Sequence, residues 1–342
     1  MTTGLSSYRC HFCKHILFLT NQVVQFNISL QQKPLLLIHS GRLCLVLSVL
    51  VIGQGCNNDE GQAQTNAVVE VLEETGPKTD GGTINYNLAD IDLSNWKVTL
   101  PIPRADGRPL EVEPPEILDY ATNSTLAPFM YNDSTDGSIV FYTYPEATTK
   151  NSSYSRTELR EQMVPGSNHT NWTFKQGGYM RGTLSVPEIS TDSEGNPHRV
   201  MVMQIHGRLT NEQRDLIGED DNNAPPVLKI YWQFGKIYVR TKQLKDINAS
   251  YEDMLPTTAW TDDSGIYFSR EVGTEKFTLE VVANETGMTI TMDDEETLVY
   301  DGIHMEKWGV FENYFKAGNY LVTRDEGAYA RVKYYELEIS HD

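Results

Sequence analysis

Three separated segments each set polar residues two positions apart. Residues 200–208 read VMVMQIHGR, residues 155–161 read SRTELRE, and residues 313–320 read NYFKAGNY. Side chains along a strand alternate between its two faces, so each spacing gathers its polar residues on one side. Gln204 and His206 then share a face, about 7 Å apart along the strand. Val202 continues that polar side, while Met201, Met203 and Ile205 turn to a core. Arg156, Glu158 and Arg160 share a second face, and Lys316, Gly318 and Tyr320 a third. Gly318 leaves room for a close approach to the backbone. One such face is ordinary for an antiparallel sheet wetted on one side. Three of the same kind point to a cleft.

The set contains a base (His206), a phenol that can give or take a proton (Tyr320), cations (Arg156, Arg160, Lys316) and an amide (Gln204). It has no pair of carboxylates at hydrolase spacing on one strand. The chain also shows no G-x-S-x-G elbow, no glycine-rich phosphate loop and no H-E-x-x-H helix. What the residues suit is removal of a proton next to a carboxylate. In a uronic-acid polymer the C5 proton is weakly acidic, because the neighbouring carboxylate resists further negative charge. An arginine and an amide that neutralise the carboxylate stabilise the enolate-like transition state. A base takes the C5 proton and an acid protonates the departing O4. That reaction is a β-elimination.

Those strands must sit in a larger frame. Short alternating runs separated by turn residues recur from about residue 84 to the end, with little helical periodicity. KFTLEVVANETGMTITMDDEETLVYDG reads as a meander, VLKIYWQFGKIYVRTK as a hairpin turning at Gly235, and RVKYYELEIS as a closing strand. Many short strands without long helices predict one all-β domain over 84–342, a sandwich of jelly-roll type. The chain has 342 residues and 18 tyrosines, against 11 phenylalanines and 5 tryptophans. Tyrosine-rich sheets offer a ring to a ligand and a hydroxyl to water. A formal net charge of −19 argues against a nucleic-acid partner. An anionic substrate would need a locally basic site against that background.

The N-terminal region reads differently. All four cysteines fall within the first 56 residues, so the remainder has no thiol nucleophile and no disulfide. Residues 43–53, LCLVLSVLVIG, form an apolar run of signal-peptide length after Arg42, and Cys56 follows closely. The pattern predicts export. Lipidation of Cys56 would anchor the protein at a membrane surface, whereas an ordinary cleaved signal would secrete it. Some 40 residues precede this run, which suggests a start site upstream of the true one; on that view the CHFCKH motif is no zinc site. Residues 1–56 are thus read as extension and signal, and 57–83 as an acidic flexible tether.

SRTELRE, QIH and YFKAGNY, in this order, resemble the three signature segments of the polysaccharide lyase family 7 alginate lyases. DLSNWKVTLPI at 92–102 is similar to the opening of that family's domain. The resemblance implies a β-jelly roll with an open cleft on a concave sheet, and alginate as substrate. It implies that Arg156 and Gln204 neutralise the substrate carboxylate, His206 takes the C5 proton of guluronate, and Tyr320 donates to O4. For mannuronate, Tyr320 would serve as base and acid. Arg160 and Lys316 would bind neighbouring carboxylates, with Glu158 holding the arginines. No cofactor and no metal is implied, since arginine stands where some other lyases use calcium. A monomer is expected. The last motif departs from a Y-x-Q continuation, reading Tyr320-Leu321-Val322 here. A long acidic stretch over 207–226 is read as a structureless insertion that walls one end of the cleft, which would favour exolytic release of small units. Ile205 fits action on guluronate-containing chains. Two alternatives stay open: a lyase for another polyuronate such as glucuronan, and a carbohydrate-binding jelly roll without chemistry.

Overall fold

The structure, a computed structural model, describes residues 88–342. The apolar run at 43–53, Cys56 and the 57–83 segment lie outside the described residues. Two large sheets face each other across one core. The sheet that carries the cleft orders its strands as Trp260–Asp262, Lys236–Leu244, Asn223–Gln233, Val200–Arg208, Glu312–Leu321, Arg156–Glu161, Trp96–Pro103 and Pro109–Val112. The opposing sheet runs Glu296–Asp301, Gly287–Met292, Phe277–Asn284, Gly178–Ile189, Ala330–Ser340, Ser138–Thr143 and Met130–Asp133. The pairings within these two paths are antiparallel; the short strand Asp90–Ile91 joins Ala330–Ser340 in parallel. This is the jelly-roll sandwich expected from the alternating runs.

Alternation explains most of the core. Phe277, Leu279, Val281 and Ala283 point inward from one strand, and Met288, Ile290 and Met292 from its partner. The hairpin at Gly235 closes through Phe234 (φ 52°) and Gly235 (φ 74°). Two positive φ values in a two-residue loop match the twist of the strands they join. Glu161 is buried and fully engaged: its carboxylate accepts from Trp172 Nε1 at 3.1 Å, Phe315 N at 2.8 Å and His341 Nε2 at 2.5 Å. These bonds fix the C-terminal end of the chain under the Tyr320 strand.

Strict alternation fails where the Val200–Arg208 strand passes Ile230 and Tyr231. Met203 pairs with Ile230, but Met201 pairs with Tyr231, so Val202 is an extra residue against the Asn223–Gln233 strand. A β-bulge of this kind reverses which face the following residues occupy. Val202 and Met203 therefore both enter the core, and Met201 turns to the cleft. The sequence reading had placed Met201 and Val202 the other way round and Met203 correctly.

The acidic stretch also differs from expectation. The His206 strand continues to Arg208 and the next strand starts at Asn223. Between them lies a helix, Asn211–Ile217. Thr210 Oγ1 accepts from Gln213 N at 3.1 Å, and the Gln213 side chain accepts from Thr210 N at 2.8 Å. This capping box satisfies two otherwise orphaned amides, and Gly218 ends the helix in the left-handed region. The segment is thus ordered by its own caps.

Candidate active site

Seven residues singled out in the sequence converge on one face of three adjacent strands. The Arg156–Glu161 strand pairs with Glu312–Leu321 so that Arg160 opposes Lys316, Glu158 opposes Gly318 and Arg156 opposes Tyr320. On its other edge, Lys316 opposes Gln204 and Tyr314 opposes His206. The glycine at 318 is required by this geometry. It adopts φ 132°, and a Cβ there would lie 2.8 Å from the Thr157 carbonyl and 3.0 Å from Glu158 Cα. With no side chain at 318, the space above it is open to the carboxylate of Glu158.

Glu158 is the centre of the cluster. It is 1 % exposed. One oxygen accepts from Gln204 Nε2 at 2.5 Å; the other pairs with Lys316 and with Arg156 NH1 at 3.3 Å. Arg160, contrary to expectation, is not held by Glu158. Its guanidinium donates to Glu161 O at 2.6 Å and to Asn171 Oδ1 at 2.9 Å, and lies 4.1 Å from the centroid of the Tyr314 ring. The physical reason is register: Arg160 sits one pair further along, where Asn168 O and Asn171 Oδ1 accept from it in place of Glu158. Two cations, Arg156 and Lys316, thus pair with Glu158, and a third, Arg160, lines the same cleft. The site is locally basic in a chain of charge −19, as an anionic ligand requires.

His206 stacks on Tyr314, with centroids 5.1 Å apart and planes 14° from parallel. Its Nδ1 lies 2.9 Å from Gly207 O. A carbonyl can only accept, so Nδ1 carries the proton and Nε2 keeps the lone pair. Burial pulls the imidazole down to about 3, and the charge of Lys316 pushes the same way. The ring is therefore neutral at ordinary pH. Burial likewise pulls the Lys316 ammonium down to about 8, opposed by Glu158.

Tyr320 is organised by a residue that the sequence reading missed. Ser152 Oγ lies 3.0 Å from Tyr154 O and 2.9 Å from the Tyr320 hydroxyl, and it also accepts from Arg156 NH2. Its single proton goes to the Tyr154 carbonyl, which cannot donate. The Tyr320 hydroxyl must then be the donor towards Ser152. Arg156 Cζ lies 4.2 Å from the centroid of the Tyr320 ring. One serine oxygen thus fixes both a phenol and a guanidinium. Replacing Ser152 by alanine is expected to lower kcat roughly tenfold, the scale of one lost hydrogen bond to a charged group, with a smaller change in KM. Steady-state rates of Ser152→Ala beside Ser152→Thr check this: equal kcat in the wild type and the alanine variant would remove Ser152 from the role. No spacing signal marks Ser152, because it lies in a loop. Tyr314 was detectable, since it stands two residues before Lys316 on the same face.

A cavity of about 470 Å³ opens over this face, lined among others by Lys97, Arg160, His206, Arg208, Tyr314 and Lys316. A second hollow of about 230 Å³ shares Arg156, Gln204, His206 and Tyr320. Above them Lys150 approaches Asp221 at 3.5 Å and Asp220 at 3.7 Å, and Asn151 donates to Asp221 at 3.2 Å. The loop before the Arg156 strand and the loop after the Asn211–Ile217 helix thus meet across the cleft.

Comparison with known proteins agrees with this fold. A family model described as alginate lyase matches residues 91–341. An alginate lyase of Klebsiella pneumoniae is 25 % identical over 293 residues, which is 73 % of this chain and 89 % of that protein. Among solved structures, the family 7 alginate lyase A1-II' in complex with a product (GGG) is 28 % identical, with a TM-score of 0.59, covering 75 % of this chain and 100 % of that one. The same enzyme with a bound substrate (GGMG) gives 26 % identity and a TM-score of 0.57, covering 74 % and 94 %. With the family match spanning almost all the described residues, the chain belongs to the polysaccharide lyase family 7 alginate lyases.

Proposed function

We propose that this alginate lyase uses Tyr320 and His206 as its proton-transfer pair, with Arg156 and Gln204 on the substrate carboxylate. The observation that carries the reading is the Glu158 cluster, which gathers Arg156, Gln204 and Lys316 beside the free Nε2 of His206. Neutralising the carboxylate lets negative charge build at C5. For guluronate, His206 Nε2 takes the C5 proton, the electron pair forms the C4–C5 double bond, and the C4–O4 bond breaks. Tyr320 gives its proton to O4, exchanging its bond to Ser152 for one to the leaving oxygen. The product end is a 4,5-unsaturated uronate. A neutral imidazole on this face favours guluronate-containing chains, where base and acid must act from different sides.

The finer reading is exolytic. Its support is the contact of Lys150 with Asp220 and Asp221 over the cleft, which leaves a chain end as the easier entrance. The test is ultraviolet absorbance of the full chain acting on alginate, with products sized over time. Rising absorbance with monomers or dimers from the start is expected. Mid-sized oligomers appearing first would make the enzyme endolytic, and no absorbance on alginate would overturn the lyase reading for this chain.

The state of His206 fixes a pH dependence. Its native pKa of about 3 lies below the ordinary 6.5. As pH falls from 6.5 towards 3, the unfolded chain takes up a proton that the native ring refuses, so native stability declines on the acid side and gains nothing further from this group above it. In the free enzyme the base stays neutral across that window. The acid limb of kcat/KM is therefore expected to follow loss of fold, with no separate ionisation near 6.5. Parallel profiles of kcat/KM and thermal midpoint check it; an activity loss near 6.5 with the midpoint unchanged would contradict the assignment.

A further inference from the structure

The bulge at Val202 has an effect beyond Met201. Residue 199 lies two positions before Met201 and so falls on the same side of the chain. Without the extra residue, regular alternation would carry Arg199 into the core with Met203 and Ile205. With it, Arg199 lines the 230 Å³ hollow together with Tyr320, Gln204 and Tyr231. Its guanidinium carbon lies 4.7 Å from the centroid of the Tyr231 ring. Tyr231 is itself placed by the bulge, pairing with Met201, and is 5 % exposed. The Arg199 backbone is held by Val322 N, which donates to Arg199 O at 2.8 Å.

Its charge is what distinguishes this residue. Lys229, which lines the same hollow, is already paired with Asp262 at 2.5 Å. Arg156 is paired with Glu158. Among the described residues no carboxylate lies within ion-pair distance of Arg199. A guanidinium packed against an aromatic ring still has N–H groups to present in the fork that matches a carboxylate. The arrangement is preformed, so little side-chain freedom is lost when the ligand arrives.

We infer that Arg199, supported by Tyr231, is a carboxylate-binding subsite for the uronate that lies beyond Tyr320 along the polymer. The inference rests on alginate being the substrate and adds the residue that grips the neighbouring sugar on that side. It also gives the bulge a purpose: one inserted residue converts a core position into a ligand contact.

The experiment compares kcat/KM of the full chain with Arg199→Ala, Arg199→Lys and Arg199→Met on purified oligouronates of increasing length. The loss in Arg199→Ala is expected to grow with oligomer length and to reach roughly tenfold or more, carried mainly by KM, the scale of one charge-assisted bond. Lysine should restore part of it. Methionine keeps packing on Tyr231 without charge, so it should behave like alanine even if alanine loosens the fold. A loss of equal size at every length, or no loss in either uncharged variant, would overturn the subsite. Should the wild type produce no unsaturated uronate from alginate, the lyase reading itself fails. Calorimetric titration of the same oligomers then still tests Arg199: unchanged affinity in Arg199→Met would reject it, and weaker affinity that worsens with length would support it.

Discussion

Tyr320→Phe should lose at least about 10³-fold in kcat on every block type of alginate, within the range that a positioned general acid supplies. The expectation follows from where the proton sits. The Tyr320 hydroxyl donates towards Ser152, whose own proton is committed to the Tyr154 carbonyl. The phenol thus directs its proton into the cleft, where the proposed mechanism places the departing O4. Phenylalanine removes that proton and no apolar surface. It keeps the ring that Arg156 lies against at 4.2 Å and that Tyr154 meets edge-on at 6.2 Å. The fold should therefore persist, and the thermal midpoint should move by no more than a few degrees. Initial rates from ultraviolet absorbance, read beside a melting curve, decide the matter. A variant that keeps near-full activity on guluronate and mannuronate blocks would remove Tyr320 from the chemistry.

The second large effect is on stability. Glu158→Ala removes the carboxylate that pairs with Arg156 and Lys316 in the cleft, while both cations stay in place with 7 % side-chain exposure at Lys316 and 12 % at Arg156. Breaking a buried pair by deleting one partner costs about 3–5 kcal/mol, because the survivor remains charged and poorly solvated. For a domain of this size each kcal/mol moves the midpoint by about 2–4 °C, so a drop on the order of 10 °C is expected. Catalysis should fall as well, since Gln204 loses the acceptor that aims its amide. Adding Lys316→Met to Glu158→Ala should recover part of the lost stability by removing one stranded charge. Denaturant titrations of the single and double variants check this, and additive losses would show that the two side chains do not interact.

Much of this architecture is legible from period-two spacing. Arg156, Glu158 and Arg160 do share a face, as do Gln204 and His206, and Lys316 with Tyr320. The rule works because those strands keep regular register across residues 156–160 and 316–320. It fails at Val202, where no glycine or proline announces the bulge, and so Met201 and Val202 were assigned to the wrong sides. The helix after Thr210 was within reach of sequence reasoning: T-N-E-Q is a capping box, outweighed by the acidic run that follows it. Ser152 was not within reach, because its role depends on a loop folding back over a strand from another part of the chain. The pairing of Glu158 with Lys316 and Gln204 in place of Arg160 needed the register of three strands at once.

The hydroxyl of Tyr334 links these observations. It belongs to the opposing sheet, yet it donates to Val202 O at 2.6 Å and accepts from Gly318 N at 3.2 Å. Both groups lie where the pairing of the His206 and Tyr320 strands is irregular, between Ala317 and Tyr320, and buried backbone groups must find partners. One phenol behind the active face therefore acts as a keystone for both catalytic strands. The cleft is then not a portable surface. Grafting its three motifs onto another sandwich would transfer the chemistry only if the recipient's rear sheet offered a donor and acceptor at that same point.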